Sequence, residues 1–229
     1  MGQYNKKGMY AGYDKNNKER EALDYYATPP SEVMNILRTM NFEKGEVTIL
    51  EPSCGGGHMV QAINRYNPNA KIFATDIKKR ENPFIAVNDW YGYKIFCHYG
   101  EEFDYLSEDY SVPDCNMENI DYVIMNPPFS VIIPFVQHSL EIANKGVLMF
   151  GRLQFLESKA RYEKIFAQCP PSKVWVYVDR VACCKNGDFN TKPSSIQAYA
   201  WFYWDKTKPF GTTELDFIRS FENTEKSGK

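Results

Sequence analysis

The sequence predicts an α/β fold in which a mostly parallel sheet of seven strands carries helices on both faces. Three observations predict it. Short apolar segments rich in β-branched and aromatic residues alternate with segments of helical periodicity over most of the chain. A run of three glycines follows the first of these apolar segments, and two consecutive prolines follow the fourth. A chain of 229 residues is long enough for one such domain with a sizeable core.

The predicted strands and helices place short polar or glycine-rich segments directly after strands. The strands are expected at 47–50, 71–77, 95–98, 121–125, 146–150, 173–178 and 195–204. Helices are expected after Thr28, with Thr28 as N-cap and Pro29 as first helical residue, after Gly57, over 131–143 with Ser130 as cap, and over 157–167. Because open parallel sheets bind ligands outside the carboxyl ends of their strands, residues that follow strands are the first candidates for a site.

We predict a catalytic centre directly after the fourth strand, at Asn126, Pro127, Pro128 and Phe129. Two prolines restrict φ and remove two backbone N–H donors, so the segment offers acceptors and few donors. The Asn126 side-chain oxygen and the Pro127 carbonyl would accept both hydrogens of an amino group on a planar ring, while Phe129 stacks on that ring. A strand followed by an ordinary turn with two prolines is the alternative for these four residues taken alone.

A second group of candidate residues lies in the glycine-rich turn and at the end of the next strand. The turn at 51–57 reads Glu-Pro-Ser-Cys-Gly-Gly-Gly, follows a strand and precedes a helix, which lets a ligand approach the backbone closely. Asp76 ends the second strand, where an acid can bind both hydroxyls of a ribose, although an aspartate there is also common in turns and caps. The turn, Asp76 and Asn126 are therefore expected at one edge of the sheet.

Composition argues against several classes of protein. Hydrophobic residues make up 43% of the chain, and no apolar run approaches the about 20 residues of a membrane helix. The first twenty residues are polar, so we expect no secretory signal and a cytoplasmic protein. The six cysteines form no Cys-x-x-Cys pair and only three histidines are present, so we expect free thiols and no metal site.

The charge is unevenly distributed, although the net charge is −2. Residues 81–121 carry ten acidic and one basic side chain, whereas residues 150–210 carry ten basic and five acidic ones. A basic C-terminal half is typical of a surface that binds phosphates, but an ordinary solvated surface has the same composition, and charge alone leaves both interpretations open. The candidate phosphate contacts are Arg152, Lys159, Arg161 and Lys185.

In combination, these motifs resemble those of the S-adenosylmethionine-dependent DNA methyltransferases that act on amino groups, specifically the adenine-N6 enzymes in their short phage and prophage forms. The resemblance covers roughly residues 24–205. Residues 26–30, Tyr-Ala-Thr-Pro-Pro, resemble the family's N-terminal cofactor motif, and residues 51–57 resemble the motif that wraps the methionine and the ribose. Asp76 matches the ribose-binding acid, and residues 126–129 match the catalytic motif. The order of the motifs resembles the gamma arrangement of the family.

The resemblance implies a Rossmann-like class I methyltransferase fold and transfer of a methyl group from S-adenosyl-L-methionine to the N6 amino group of adenine in duplex or single-stranded DNA. The implied cofactor-binding residues are Tyr26, Thr28, Pro29, Glu51, Pro52, Cys54, Gly55, Gly57, Asp76, Ile77, Glu102 and Asp104. Glu102-Phe103 and Asp104-Tyr105 compete for the place of the pair that binds the adenine of the cofactor. The alternatives are an amino group in RNA, a glutamine amide in a protein, and a non-catalytic DNA- or cofactor-binding relative.

For the domain organisation, we expect a flexible arm at 1–22 and a single domain at 23–229, monomeric or weakly dimeric. The sequence contains no large separate target-recognition domain. Target specificity would therefore be low, or be carried by the long polar segment 179–195, which follows the sixth predicted strand.

Overall fold

The computed structural model describes residues 26–79, 94–185, 187 and 197–221. The predicted arm at 1–22 lies outside these residues. The predicted substrate segment at 179–195 is described only at 179–185 and 187, and the side chain of Lys185 is not part of the description.

The described residues alternate strands and helices along most of their length. The strands are β1 (Tyr26–Ala27), β2 (Thr48–Glu51), β3 (Lys71–Asp76), β4 (Ile95–Tyr99), β5 (Tyr122–Met125), β6 (Gly146–Arg152), β7 (Lys173–Tyr177), β8 (Cys184–Lys185), β9 (Tyr199–Asp205) and β10 (Glu214–Ile218). The helices are α1 (Pro30–Thr39), α2 (His58–Tyr66), α3 (Ile132–Ile142) and α4 (Lys159–Arg161), which continues as a π-helical turn over Tyr162–Phe166. Short 3₁₀ turns lie at Glu101–Phe103, Met117–Asn119, Phe129–Val131 and Leu153–Leu156. No helix in this part of the chain is both long and apolar enough to span a membrane.

The main sheet confirms the predicted fold class. Its strand order is β10-β7-β9-β6-β5-β2-β3-β4, and only β9 runs antiparallel to its neighbours among the described residues. A second, two-stranded sheet pairs β1 with β8, so that Tyr26 lies opposite Lys185 and Ala27 opposite Cys184.

The predicted number of seven strands is wrong, because β10 adds an eighth strand at the edge of the main sheet. This strand alternates acidic and apolar residues and is largely exposed, so it lacks the apolar run that marks the inner strands. Its position depends on the backbone ladder to β7 and on ion pairs from Lys173 to Glu214 (2.6 Å) and Asp216 (3.3 Å). These contacts are tertiary, and the local sequence does not indicate them.

The inner strands are apolar at nearly every position because both faces of the sheet are covered. Ile49 and Leu148 belong to a core beneath α1 and α2, whereas their neighbours Leu50 and Val147 belong to a core beneath α3. Since successive residues of a strand point to opposite faces, the two cores use alternate residues of the same strands. The sheet is thereby held rigidly between two layers, which fixes the positions of its strand ends.

The structure corrects three details of the predicted helices. The helix α1 begins at Pro30 with Pro29 as its N-cap, and Thr28 is not the cap. Pro29 stays extended (ψ 130°) because a proline disfavours helical geometry in the residue before it, and here Pro30 follows. Ser130 is not a cap either, since α3 starts at Ile132 after a 3₁₀ turn. The helix predicted at 157–167 is a single α-helical turn that widens into a π-helical turn.

Candidate functional site

The candidate site lies where the chain changes direction across the sheet. From β2 the chain proceeds through β3 to β4 on one side, whereas β5 and β6 lie on the other side, so β2 and β5 are neighbours. Connections that leave neighbouring strands in opposite directions open a crevice at their carboxyl ends. A cleft occupies this position, and residues from strand ends, the glycine-rich turn and the β1–β8 sheet line it.

The cleft brings together most of the predicted site residues. Those that line it are Tyr26, Thr28, Glu51, Pro52, Cys54, Asp76, Ile77, Asp104, Asn126, Pro127, Pro128 and Phe129. Pro29, Gly55, Gly57 and Glu102 are not among the residues that line it. Pro29 caps α1, Gly57 caps α2, and the amide of Gly55 is bonded to Asp76. The Glu102 side chain is exposed, whereas Asp104 faces the cleft and its Oδ1 accepts a hydrogen bond from the Leu106 N–H (3.1 Å).

The glycine-rich turn is fastened to the end of β3. The Cys54 N–H donates to the Thr75 carbonyl (2.9 Å), and the Gly55 N–H donates to Asp76 Oδ2 (2.8 Å). Gly55 and Gly57 have φ values of 52° and 77°, a left-handed conformation that glycine adopts without strain. Asp76 Oδ1 accepts a further hydrogen bond from the Lys78 N–H (2.9 Å). Asp76 therefore shapes the turn and lines the cleft at the end of β3.

Glu51, at the end of β2, is a buried acid beside this turn. Its side chain is 2% exposed, and burial, together with the nearby charge of Asp76, raises its pKa from 4.5 to about 8. The Oε2 atom is buried and has no hydrogen-bond partner among the described residues. A buried carboxyl oxygen without a partner is costly, and a ligand that bonds to it, or that brings a positive charge beside the ionised form, would remove that cost.

The side-chain amide of Asn126 is held on its nitrogen side. Nδ2 donates to the Tyr26 carbonyl (3.1 Å) and to Thr28 Oγ1 (3.0 Å), which accounts for both of its hydrogens. The backbone carbonyl of Asn126 accepts from Ser53 Oγ (3.3 Å). Within the described residues, Oδ1 has no partner of its own. This oxygen is an acceptor that is free for a ligand in the cleft.

Phe129 lies half-buried at the cleft, with two arginines close to its ring. The guanidinium carbon of Arg152 is 4.9 Å from the centre of the ring, and that of Arg161 is 5.1 Å from it. Arg161 also donates from Nη1 to the carbonyls of Gln154 and Glu157, each at 2.6 Å. Of the other predicted phosphate contacts, Lys159 forms an exposed ion pair with Glu163 on the same helical turn. Positive charge is therefore concentrated beside the Phe129 ring.

Solved structures share this architecture. A protein described as a class I S-adenosylmethionine-dependent methyltransferase from Listeria monocytogenes aligns with 97% of this chain and 72% of its own length, at 12% identity and a TM-score of 0.58. A modification subunit described as part of a type I restriction enzyme from Vibrio vulnificus YJ016 aligns with 96% of this chain, at 14% identity and a TM-score of 0.58. This chain spans 53% of the length of that subunit. The fold is that of the class I methyltransferases.

A third structure with this fold is described as an RNA methyltransferase from Pyrococcus horikoshii, with 18% identity and a TM-score of 0.54 over 80% of this chain and 88% of its own. No protein-family model and no curated protein sequence matches the chain. The class I methyltransferase fold accounts for the crevice between β2 and β5, but these identities carry no information on the substrate.

Sequence reasoning missed the residues that cover the methyltransferase-fold cleft. His58, Cys183 and Tyr199 line it, and Tyr199 stacks on Phe150 with ring centres 4.9 Å apart. Burial lowers the pKa of His58, and burial raises the pKa of Tyr199 above its usual value. No local pattern marks Cys183 and Tyr199, because β8 and β9 reach the cleft only through pairing with distant strands. His58 directly follows the glycine-rich turn as the first residue of α2, and that position could have indicated it.

Proposed function

We propose that this chain is a methyltransferase that transfers the methyl group of S-adenosyl-L-methionine to the N6 amino group of adenine in DNA. The observation that carries the proposal is the unpartnered Asn126 Oδ1, which lines the cleft at the switch point of a class I methyltransferase fold. The motif order from residues 26–30 to residues 126–129 supports adenine in DNA as the acceptor.

The residues of the cleft fit this cofactor. S-adenosyl-L-methionine carries positive charge on its sulfonium and on its amino group, and Glu51 presents a buried, unpartnered Oε2 in the cleft. A positive group there would stabilise the ionised carboxylate, whose pKa burial otherwise raises to about 8. Asp76, at the end of β3, would bind the ribose hydroxyls, and Asp104, with Leu106 beside it, would contact the adenine.

When bound, the cofactor supplies an electrophilic methyl group and leaves as a neutral thioether. The amino nitrogen would bond to this methyl carbon through its lone pair, and the electron pair of the carbon–sulfur bond would pass to sulfur. The one proton that the amine loses would go to solvent water. Asn126 Oδ1 and the Pro127 carbonyl would accept the two hydrogens of the amine and direct its lone pair away from the ring. Acceleration would come from positioning and from these fixed dipoles, without a covalent intermediate on the enzyme.

Phe129 and its two arginines support a nucleic acid as the partner. A base that leaves its stack needs a new stacking surface, and the Phe129 ring lies beside the Asn126 acceptor. Arg152 and Arg161, whose guanidiniums lie over that ring, supply positive charge that would favour a phosphate-bearing substrate over a neutral peptide. The incoming base would compete with a guanidinium for the ring face. Arg161 is held there by two backbone carbonyls, and Arg152 is held by a hydrogen bond to Tyr199.

The first experiment identifies the acceptor. Labelled methyl transfer from S-adenosyl-L-methionine would be measured with duplex DNA, single-stranded DNA, RNA and protein extract. The proposal predicts label in DNA that digests to N6-methyladenine. Label confined to RNA would favour the related reaction on an RNA base, label confined to protein would favour a glutamine amide, and the absence of cofactor binding would indicate a non-catalytic relative.

The second experiment tests Asn126. We expect Asn126→Ala to lower the rate of methyl transfer by about a hundredfold or more, because the fixed acceptor for the amine is lost. The dissociation constant of the cofactor should change by less than about threefold. Asn144→Ala is the matched control, since the Asn144 side chain bonds the Glu118 carbonyl on the exposed surface away from the cleft. Full activity of Asn126→Ala would rule out the proposed chemistry.

A further inference from the structure

Two segments that each combine a polar residue with two prolines meet at the cleft. Thr28 precedes Pro29 and Pro30, and Asn126 precedes Pro127 and Pro128, 98 residues further along the chain. The two polar side chains are joined directly, with Asn126 Nδ2 donating to Thr28 Oγ1 over 3.0 Å. The Thr28 hydroxyl is not used to cap α1, and the side chain is only 3% exposed. The buried hydroxyl of Thr28 therefore bonds to the amide of Asn126 and not to the end of α1.

The bonding partners of this amide determine which of its two polar atoms faces the cleft. A backbone carbonyl can only accept, so the Tyr26 carbonyl fixes the nitrogen of Asn126 on its side. The Thr28 oxygen accepts the second hydrogen at the same time. A rotated amide would place Oδ1 against the Tyr26 carbonyl, two acceptors without a proton between them. With both hydrogens bound to residues 26 and 28, the oxygen is the atom left for a ligand.

We propose that Thr28 is a positioning residue, which holds the Asn126 amide so that its oxygen faces the amino group to be methylated; this rests on the proposed function. An amide presented the other way round would offer N–H groups to an amine that itself must donate. Such a contact would hold the amine hydrogens poorly and leave the lone pair undirected. Thr28 acts through Asn126 and has no part in the bonds that form or break.

The local conformation of Thr28 suits this task. A β-branched side chain has few χ1 rotamers, and a residue before proline is confined to extended geometry. The hydroxyl therefore has little freedom to leave Asn126. On the other side, β1 is fixed by its pairing with β8, which keeps the Tyr26 carbonyl in place. The orientation of the Asn126 amide is therefore fixed before any substrate binds.

Two substitutions at Thr28 test the proposal by steady-state kinetics. Thr28→Val keeps the shape of the side chain but removes the hydrogen-bond acceptor. We expect kcat to fall by about tenfold, because the loss of one hydrogen bond that stabilises the transition state changes the rate by about that factor. Thr28→Ser keeps the hydroxyl, so its kcat should stay within about threefold of that of the wild type. The cofactor dissociation constant should change by less than about threefold in both variants. A Thr28→Val variant with normal kcat and a much weaker cofactor affinity would overturn the proposal, because Thr28 would then be a direct cofactor contact.

A second readout needs neither cofactor nor acceptor. The side-chain NH₂ signals of Asn126, assigned by their loss in Asn126→Asp, would be recorded in ¹⁵N-labelled protein. Thr28→Val should shift these signals and speed their exchange with water by about tenfold, while Thr28→Ser should leave them close to the wild type. Thr28→Ala provides the same loss of the acceptor should the valine variant not fold. Unchanged NH₂ signals in a folded variant without the hydroxyl would overturn the proposal. Altered signals in a protein whose wild type methylates none of the acceptors would overturn the proposed function, and leave the role of Thr28 in orienting the amide standing.

Discussion

Glu51→Gln removes a carboxyl group that the fold buries at the end of β2, and we expect this change to flatten the pH dependence of stability. The carboxyl has an ordinary pKa of 4.5 in the unfolded chain and about 8 in the folded protein, because burial and the charge of Asp76 both disfavour ionisation. Below about pH 4.5 the group is protonated in both states and contributes no pH dependence. Between these two pKa values the unfolded chain releases a proton that the folded protein keeps, so the free energy of unfolding falls as the pH rises.

The magnitude follows from the two pKa values. Each unit of difference is worth about 1.4 kcal/mol, so the full cost of ionising Glu51 in the folded protein is about 5 kcal/mol, reached above about pH 8. Between about pH 5 and about pH 8, the wild type should lose about 3–4 kcal/mol of unfolding free energy that the Glu51→Gln variant keeps. Titrating groups that do not interact with Glu51 contribute equally to both proteins and cancel in the comparison.

The assay is urea unfolding at several pH values in this range, followed by the fluorescence of the buried Trp201 and Trp204. Glu46→Gln is the matched control, because the Glu46 side chain is 86% exposed and its replacement should leave the pH dependence unchanged. Parallel curves of unfolding free energy against pH for the wild type and Glu51→Gln would refute the reasoning. They would mean that Glu51 is ionised at little cost in the folded protein.

Two further substitutions test the cover of the cleft and a helix end. Gly187→Ala would place a Cβ 2.8 Å from His58 Cε1, at a backbone φ of +73° that alanine rarely adopts. We expect the unfolding free energy, measured in urea, to fall by about 1–2 kcal/mol and the affinity for the cofactor to weaken. An unchanged affinity would show that Gly187 does not help to close the cleft. Lys206→Met removes an ammonium that donates to the carbonyls of Leu140 and Ala143 at the end of α3. We expect the unfolding free energy to fall by about 1–2 kcal/mol, which lowers the melting temperature by several degrees. An unchanged melting temperature would contradict this role.

Much of the candidate site was predictable because it is local in the chain. The apolar segments that end at Glu51, Asp76 and Met125 are strands in the structure, and the polar residues that follow them lie at the same sheet edge. Alternation of strands with helices predicted parallel neighbours, and parallel neighbours place their carboxyl ends together. The fold class and the sheet edge that carries these residues follow from such short-range patterns, whereas the cleft itself also needs β2 and β5 to be neighbours.

The features that the sequence did not predict depend mainly on contacts between residues distant in the chain. Thr28 has the sequence signature of an N-cap. The helix begins one residue later than predicted, at Pro30, and the Thr28 hydroxyl instead accepts a hydrogen bond from Asn126. The strand β10 has no apolar run of its own and is held by β7 and Lys173. Arg152 was predicted only as a candidate phosphate contact, and its place over the Phe129 ring depends on the pairing of β6 with β9, which sets it opposite Tyr199. For β10 and Arg152 a partner distant in the chain decided the outcome, whereas for Thr28 the nearby Pro30 and the distant Asn126 acted together.

The sequence by itself determined a sheet with helices on both faces and the three strand ends that carry Glu51, Asp76 and Asn126, because hydrophobic periodicity, glycine and proline act over a few neighbouring residues. Only the tertiary structure decided what each polar atom does there. The amide of Asn126 is oriented by residues about a hundred positions away, and the acidity of Glu51 is set by its burial and by the nearby charge of Asp76. Hydrogen-bond direction and desolvation depend on which groups are brought together in space, and no short stretch of sequence contains that information.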